Sequence, residues 1–167
     1  MYSPWNLHEE IPGHFDFETG MLNLTDFLHA IKEMDMFAMY RPGPYICAEW
    51  DLGGLPAWLL RDPNMRFRSN YTPYLNAVKR YFDKLIPIIR DFQFSTKGGP
   101  IIAMQIENEF GGYGNALQNK GDLEYLEFIK KTADNNGFKE LYFTSDGTED
   151  TLKRIGTIPG LIFYLVN

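Results

Sequence analysis

Residues Gly98 to Gly112 (GGPIIAMQIENEFGG) set the tightest condition on how this 167-residue chain can fold. Gly98, Gly99 and Pro100 interrupt whatever precedes them. The apolar run Ile101 to Met104 that follows is too short for a helix and reads as a buried parallel strand. Polarity then changes at once to Gln105, Ile106, Glu107, Asn108 and Glu109, which puts two carboxylates and two amides at the strand's carboxyl end. In parallel α/β folds that end is where ligands bind and chemistry happens. A carboxyl group beside an amide donor in a partly dry cleft can have its pKa raised toward working pH and serve as a general acid. The plainer alternative is a pair of solvated loop acids. Spacing does not choose between Glu107 and Glu109, which share a face if the strand stays extended.

The rest of the chain repeats one unit of strand, polar loop and helix. Tyr2 reads as the tail of a strand, and Pro12 to Gly20 as a loop. Asn23 is an N-cap for a helix whose apolar stripe is Leu24, Phe27, Leu28, Ile31 and Met34. Met36 to Tyr40 is the next strand, stopped by the turn Arg41-Pro42-Gly43-Pro44. Glu49 and Asp51 follow it, again just past a strand's carboxyl end. Ala57 to Leu60 reads as a short helical turn. Thr72 caps a long helix with Pro73 at its first position and the stripe Leu75, Val78, Phe82, Leu85 and Ile89, in which Pro87 predicts a kink. A Gly-rich loop follows Glu109, then a helix from Asp122 to Asn136 closed by Gly137. Leu141 to Ser145 is a strand ending at Asp146, Thr148 to Ile155 a short helix, and Leu161 to Val166 a last strand.

Alternating strands and helices imply right-handed βαβ units and a parallel sheet. A doubly wound sheet and a (β/α)8 barrel both satisfy this pattern. Acidic residues after three separate strands, at Glu49, Glu109 and Asp146, favour the barrel, which gathers all strand ends around one mouth. No phosphate-cradling glycine loop follows any strand, so a nucleotide enzyme is a poor fit. A net charge of −6 argues against a nucleic-acid partner. The lone Cys47 has no intrachain disulfide partner, and neither metal nor organic cofactor is expected, because acid/base chemistry by two carboxylates needs none and His8, His14 and His29 are not at metal-ligand spacing. No stretch approaches the ~20 apolar residues of a membrane span, and Met1 is not followed by a leader pattern. Asn23-Leu24-Thr25 and Asn70-Tyr71-Thr72 match the N-glycosylation triplet, a weak hint of secretory origin.

Four blocks, YSPWNLHE (Tyr2 to Glu9), RPGPYICAEWDLGGLPAWLL (Arg41 to Leu60), Gly98 to Phe110 and Thr144-Ser145-Asp146, resemble glycoside hydrolase family 35, the retaining β-galactosidases. The resemblance implies that Glu109, directly after Asn108, is the acid/base. It also implies that Tyr2, Cys47, Ala48, Glu49 and Asn108 line a pocket for a terminal β-galactose of glycans or glycolipids. Each has a plain reading beside this one: Tyr2 as core, Cys47 as a small buried apolar group, Glu49 as a surface acid. In the family's barrel the nucleophilic Glu follows the seventh strand. By that register residues 1–167 hold about strands 2 to 6 of an incomplete catalytic domain, without the first, seventh and eighth strands or the nucleophile. The chain alone is therefore expected to be inactive, with at most residual galactose binding, and to associate through open sheet edges. A lysosomal or secreted location is expected of the full-length parent.

Overall fold

The computed structural model describes residues 1–113, 121–146, 158 and 161–165. Asn23 does end the irregular segment: its Oδ1 accepts the Asp26 N–H at 3.0 Å and its Nδ2 donates to Asp26 Oδ2 at 2.8 Å. Helix α2 runs from there over Leu24–Glu33, after a single helical turn, α1, at Trp5–His8. Leu24, Leu28 and Ile31 are buried as their spacing requires, but Phe27 and Met34 are exposed. Both lie on one flank of the stripe, and no described residue covers that flank.

Strand β1 is Ala38–Tyr40, shorter than the apolar run that announced it, because Met36 and Phe37 stand exposed before the ladder begins. Helix α3 spans Thr72–Ile89, and the short α4 spans Phe94–Lys97. Strand β2 is Ile101–Gln105, α5 is Gly121–Asn135, β3 is Leu141–Asp146 and β4 is Leu161–Leu165. The helix expected at Thr148 to Ile155 lies outside the described residues, as does Val166.

All neighbouring strands are parallel, in the order β1-β2-β3-β4. A further parallel bridge joins Tyr2 to Arg41 beside β1, and the Ser3 N–H reaches the Arg41 carbonyl at 3.2 Å. Sequence order is thus spatial order, with no reversal. A doubly wound sheet must reverse at its switch point, whereas the wall of a barrel does not. The expectation of an α/β chain with a parallel sheet holds.

Helix α3 turns a full face of side chains into the core. Tyr74, Ala77, Val78, Tyr81, Phe82, Leu85, Ile86 and Ile89 are buried, whereas the expected Leu75 is only half-covered. Thr72 is its first helical residue rather than its cap. Tyr71 holds the cap position without a side-chain bond, and Pro73 in the first turn has no N–H to offer one. Pro87 falls in the last turn, just before α3 passes into a 3₁₀ turn at Arg90–Phe92. Gly137, at φ 97°, closes α5 as its position predicted. In the middle of α3, Tyr81 stacks on Trp5 at 5.0 Å. Glu9 is fully buried, and its carboxylate is satisfied by the Trp5 indole N–H (2.6 Å), the Gly13 N–H (2.7 Å) and Arg80 (2.7 Å). That ion pair ties the chain after α1 to α3.

Candidate active site

The ladder of β2 continues past its last regular residue. Ile106 N–H bonds to the Phe143 carbonyl at 2.9 Å, Glu107 N–H to Gly43 at 3.2 Å, and Glu109 N–H to Ser145 at 2.8 Å. The backbone is no longer extended, however: Glu107 and Glu109 take φ of 61° and 48°. Left-handed conformations cost a non-glycine residue about 1–2 kcal/mol each, so the flanking bonds must hold them. The two reversals cancel the alternation expected of an extended strand. Glu107 is 2% exposed, while Glu109 faces solvent.

The two carboxylates therefore have different chemistry. Glu107 Oε2 accepts from Arg68 Nη2 at 2.7 Å and Nε at 3.1 Å, and from the Asn108 N–H at 3.1 Å. Its Oε1 accepts from the Tyr125 hydroxyl at 2.6 Å, which is joined in turn to the Tyr74 hydroxyl at 3.2 Å. Burial pushes both tyrosines up from their ordinary pKa, and the Glu107 charge adds to it. Burial pulls Arg68 the other way, yet the Glu107 carboxylate more than offsets it and holds the guanidinium above its ordinary value. This acid is committed to structure. The Glu109 carboxylate has no hydrogen-bond or ion-pair partner among the described residues.

Asn108 is 6% exposed. Its side-chain oxygen accepts from Gln105 Nε2 at 3.2 Å and from Arg41 Nη2, which leaves its NH₂ group without a protein partner among the described residues. Arg41 also donates to the Tyr2 hydroxyl and lies 4.3 Å from the centre of that ring. Tyr2 and Asn108 are thus brought together through one guanidinium. No carboxylate among the described residues pairs with Arg41, and its Nε is buried without a partner.

Cys47, Ala48 and Glu49 sit on the loop after β1, all three left-handed at φ 57°, 57° and 47°. The Trp50 N–H bonds back to the Cys47 carbonyl at 3.0 Å, and the Ile46 N–H and Gly53 carbonyl close the loop at 2.8 Å. Gly53 is required here, since a Cβ would lie 2.0 Å from the Tyr45 ring. Cys47 and Ala48 are half-buried, and Glu49 is exposed. No hydrogen bond joins these three to Asn108 or Glu109; the link runs through Tyr45, whose ring lies 4.0 Å from the Arg68 guanidinium carbon. Asp146, the third acid read at a strand end, is buried and accepts the Gly111 N–H at 2.9 Å, anchoring the turn after Glu109.

Sequence reading placed Gln105 at the strand end but missed Arg68, Tyr125 and the bridging role of Arg41. Arg41 stands in a turn whose prolines drew the reading. Arg68 lies in an irregular stretch where no periodicity marks burial, and its partner Glu107 is 39 residues away. Among the described residues no group of three or more His, Cys, Asp or Glu side chains is arranged to hold a metal ion, and no helix is long and apolar enough to cross a membrane.

Residues 1–167 match the model of a family described as Glycosyl hydrolases family 35. The chain is 45% identical to Beta-galactosidase-1-like protein 3 of Rattus norvegicus over 161 residues, covering 96% of this chain and 24% of that protein. Identity to Beta-galactosidase-1-like protein 2 of Homo sapiens is also 45%, with the same coverage. Beta-galactosidase of Bos taurus is 41% identical over 161 residues, again 96% and 24% of the two chains. The chain spans about a quarter of the length of the curated relatives it matches.

Proposed function

The chain belongs to glycosyl hydrolases family 35, and from that premise we propose that it supplies the acid/base half of a retaining β-galactosidase site. The observation that carries the reading is the contrast at the end of β2. Glu107 is consumed by a buried ion pair, while Glu109 faces solvent beside an asparagine whose NH₂ group has no protein partner among the described residues. Retaining hydrolysis needs two carboxyl groups ~5–5.5 Å apart, one protonating the leaving oxygen and one attacking the anomeric carbon. Glu109 gives its proton to the glycosidic oxygen and then takes one from the incoming water. Asn108 donates to a sugar hydroxyl, while Tyr2, Cys47, Ala48 and Glu49 line the galactose side. Two carboxyl groups suffice for this chemistry, so it calls for no metal or organic cofactor.

The bridge at Tyr2 and strands β1 to β4 correspond, on this reading, to strands 2 to 6 of a (β/α)8 barrel. Residues 1–167 form one incomplete catalytic domain, and the nucleophile comes from outside them. The substrates are terminal β-galactosides of glycans or glycolipids, and the full-length parent works in a lysosomal or secreted setting.

The test is a full-length relative in which this chain replaces the matching segment, assayed with and without Glu109→Gln. Loss of the general acid lowers kcat about 10²–10⁴-fold on a galactoside with a poor leaving group. An activated aryl galactoside needs less proton assistance and suffers less. Equal activity of both proteins on the poor leaving group removes Glu109 from the role.

A further inference from the structure

We propose that Arg68 is a positioning residue: it fixes the angle at which the Asn108–Glu109 pair is presented, an inference that rests on the role given to Glu109 above. Arg68 comes from the irregular stretch before α3, with its own backbone left-handed at φ 51° and its side chain 7% exposed. Besides its bonds to Glu107, Nη2 donates to the Asn108 carbonyl at 2.6 Å. The guanidinium carbon lies 4.0 Å from the centre of the Tyr45 ring and 4.1 Å from that of Tyr113, with Phe110 at 5.5 Å. Three loops therefore close on one cation: the one leading into Cys47–Glu49, the bend Glu107–Asn108, and the turn after Glu109.

The peptide unit between Asn108 and Glu109 is pinned from both sides. Its carbonyl is held by Arg68, and its N–H by the Ser145 carbonyl at 2.8 Å. Glu109 keeps its left-handed φ only while that unit cannot rotate, because a peptide flip would let the residue relax to an ordinary conformation. The flip would also swing the Glu109 side chain away from its present direction. Lysine cannot replace the arginine, since a single ammonium lacks the planar fork that meets a carboxylate and a carbonyl while stacked on two rings.

The experiment uses the chimera described above with three changes, each read as kcat, KM and melting midpoint on two galactosides, one with an alkyl and one with an activated aryl leaving group. Arg68→Lys keeps the buried charge balanced. The double variant Arg68→Met with Glu107→Gln removes both charges together, which guards against simple failure to fold through an unpaired buried ion. Glu109→Gln is the reference. A misplacement of about 1 Å costs on the order of 10²-fold, so both Arg68 variants are expected to lose about that much kcat/KM on the alkyl galactoside, the quantity that reports the acid-assisted cleavage step. On the aryl galactoside the expected loss of kcat/KM is under about threefold, while kcat and KM fall together as the base-assisted attack of water becomes limiting. Equal losses of kcat/KM on both substrates, tracking the melting midpoint, mean that Arg68 only holds the fold and overturn the proposal. Leaving-group selectivity in Glu109→Gln but in neither Arg68 variant overturns it while the acid/base reading stands. A Glu109→Gln protein as active as its parent removes that reading, and this inference with it.

Discussion

His8 shows how a single side chain couples this fold to pH. Its ring stacks on Phe17 at 4.7 Å, and its Nδ1 lies 2.8 Å from the Asp16 carbonyl oxygen, so Nδ1 carries the proton and donates. Burial pushes the pKa below 6.5, against the Asp16 carbonyl and carboxylate, which raise it. The unfolded chain then binds the proton more readily than the folded one. The stability that neutral His8 contributes is present above about pH 6.5 and is lost as the pH falls below that value. His8→Asn, which keeps a donor near the Nδ1 position and cannot take up a proton, is expected to flatten the loss of stability between pH 7 and pH 5, read as melting midpoints across that range. Parallel pH dependences of parent and variant would count against it. The pair Glu107 and Glu109 makes a different point at the same scale. Their types and spacing were plain in the sequence, but their division into a buried ion-pair partner and an exposed acid follows from two positive φ values that no residue type there announces.

Among the elements, α2 and β2 follow from local chemistry, and the loop after β1 does not. An asparagine cap and a helical stripe suffice for α2; an apolar run after two glycines and a proline suffices for β2. The turn Cys47–Ala48–Glu49 instead holds three successive non-glycine residues in a left-handed conformation. Its support comes from Gly53, which passes against the Tyr45 ring that in turn lies on Arg68. Gly53→Ala puts a Cβ 2.0 Å from that ring at a φ of 58°, so the ring or the loop has to move. The expected cost is about 1–3 kcal/mol, with Tyr45 displaced from Arg68. Denaturant unfolding with near-ultraviolet circular dichroism reads both effects. An unchanged midpoint and spectrum would show that the loop does not depend on this contact. At α3 the sequence placed the element and missed its cap by one residue, because Thr72-Pro73 matches a common helix start whose first turn here needs no side-chain cap.

At the scale of the whole molecule, the described residues leave an apolar region uncovered along the β1 side. Met34, Met36, Phe37 and Met39 are exposed there, with Phe27 on the flank of α2 and Phe94 in edge-on contact with Phe37 at 5.4 Å. Parallel sheets are normally covered on both faces, and contiguous apolar patches beyond a few hundred Å² favour association. Residues 1–167 expressed alone are therefore expected to form oligomers or aggregates without β-galactosidase turnover. Size-exclusion chromatography with light scattering reads the first half, and a monomer with a sharp cooperative melt would overturn it. Among the described residues the sequence alone determined the succession of the four strands and of helices α2, α3 and α5, because periodicity, caps and glycine–proline breaks act over a few residues. It also determined the family, through blocks that run nearly end to end. The tertiary structure alone decided which polar groups at the strand ends remain free. Arg41 joins Tyr2 to Asn108, and Arg68 joins Glu107 to the aromatic rings, across separations of up to 67 residues. Such pairings depend on how loops from different strands meet in space, and the left-handed turns that permit them are held by long-range bonds rather than by the residues' own preferences.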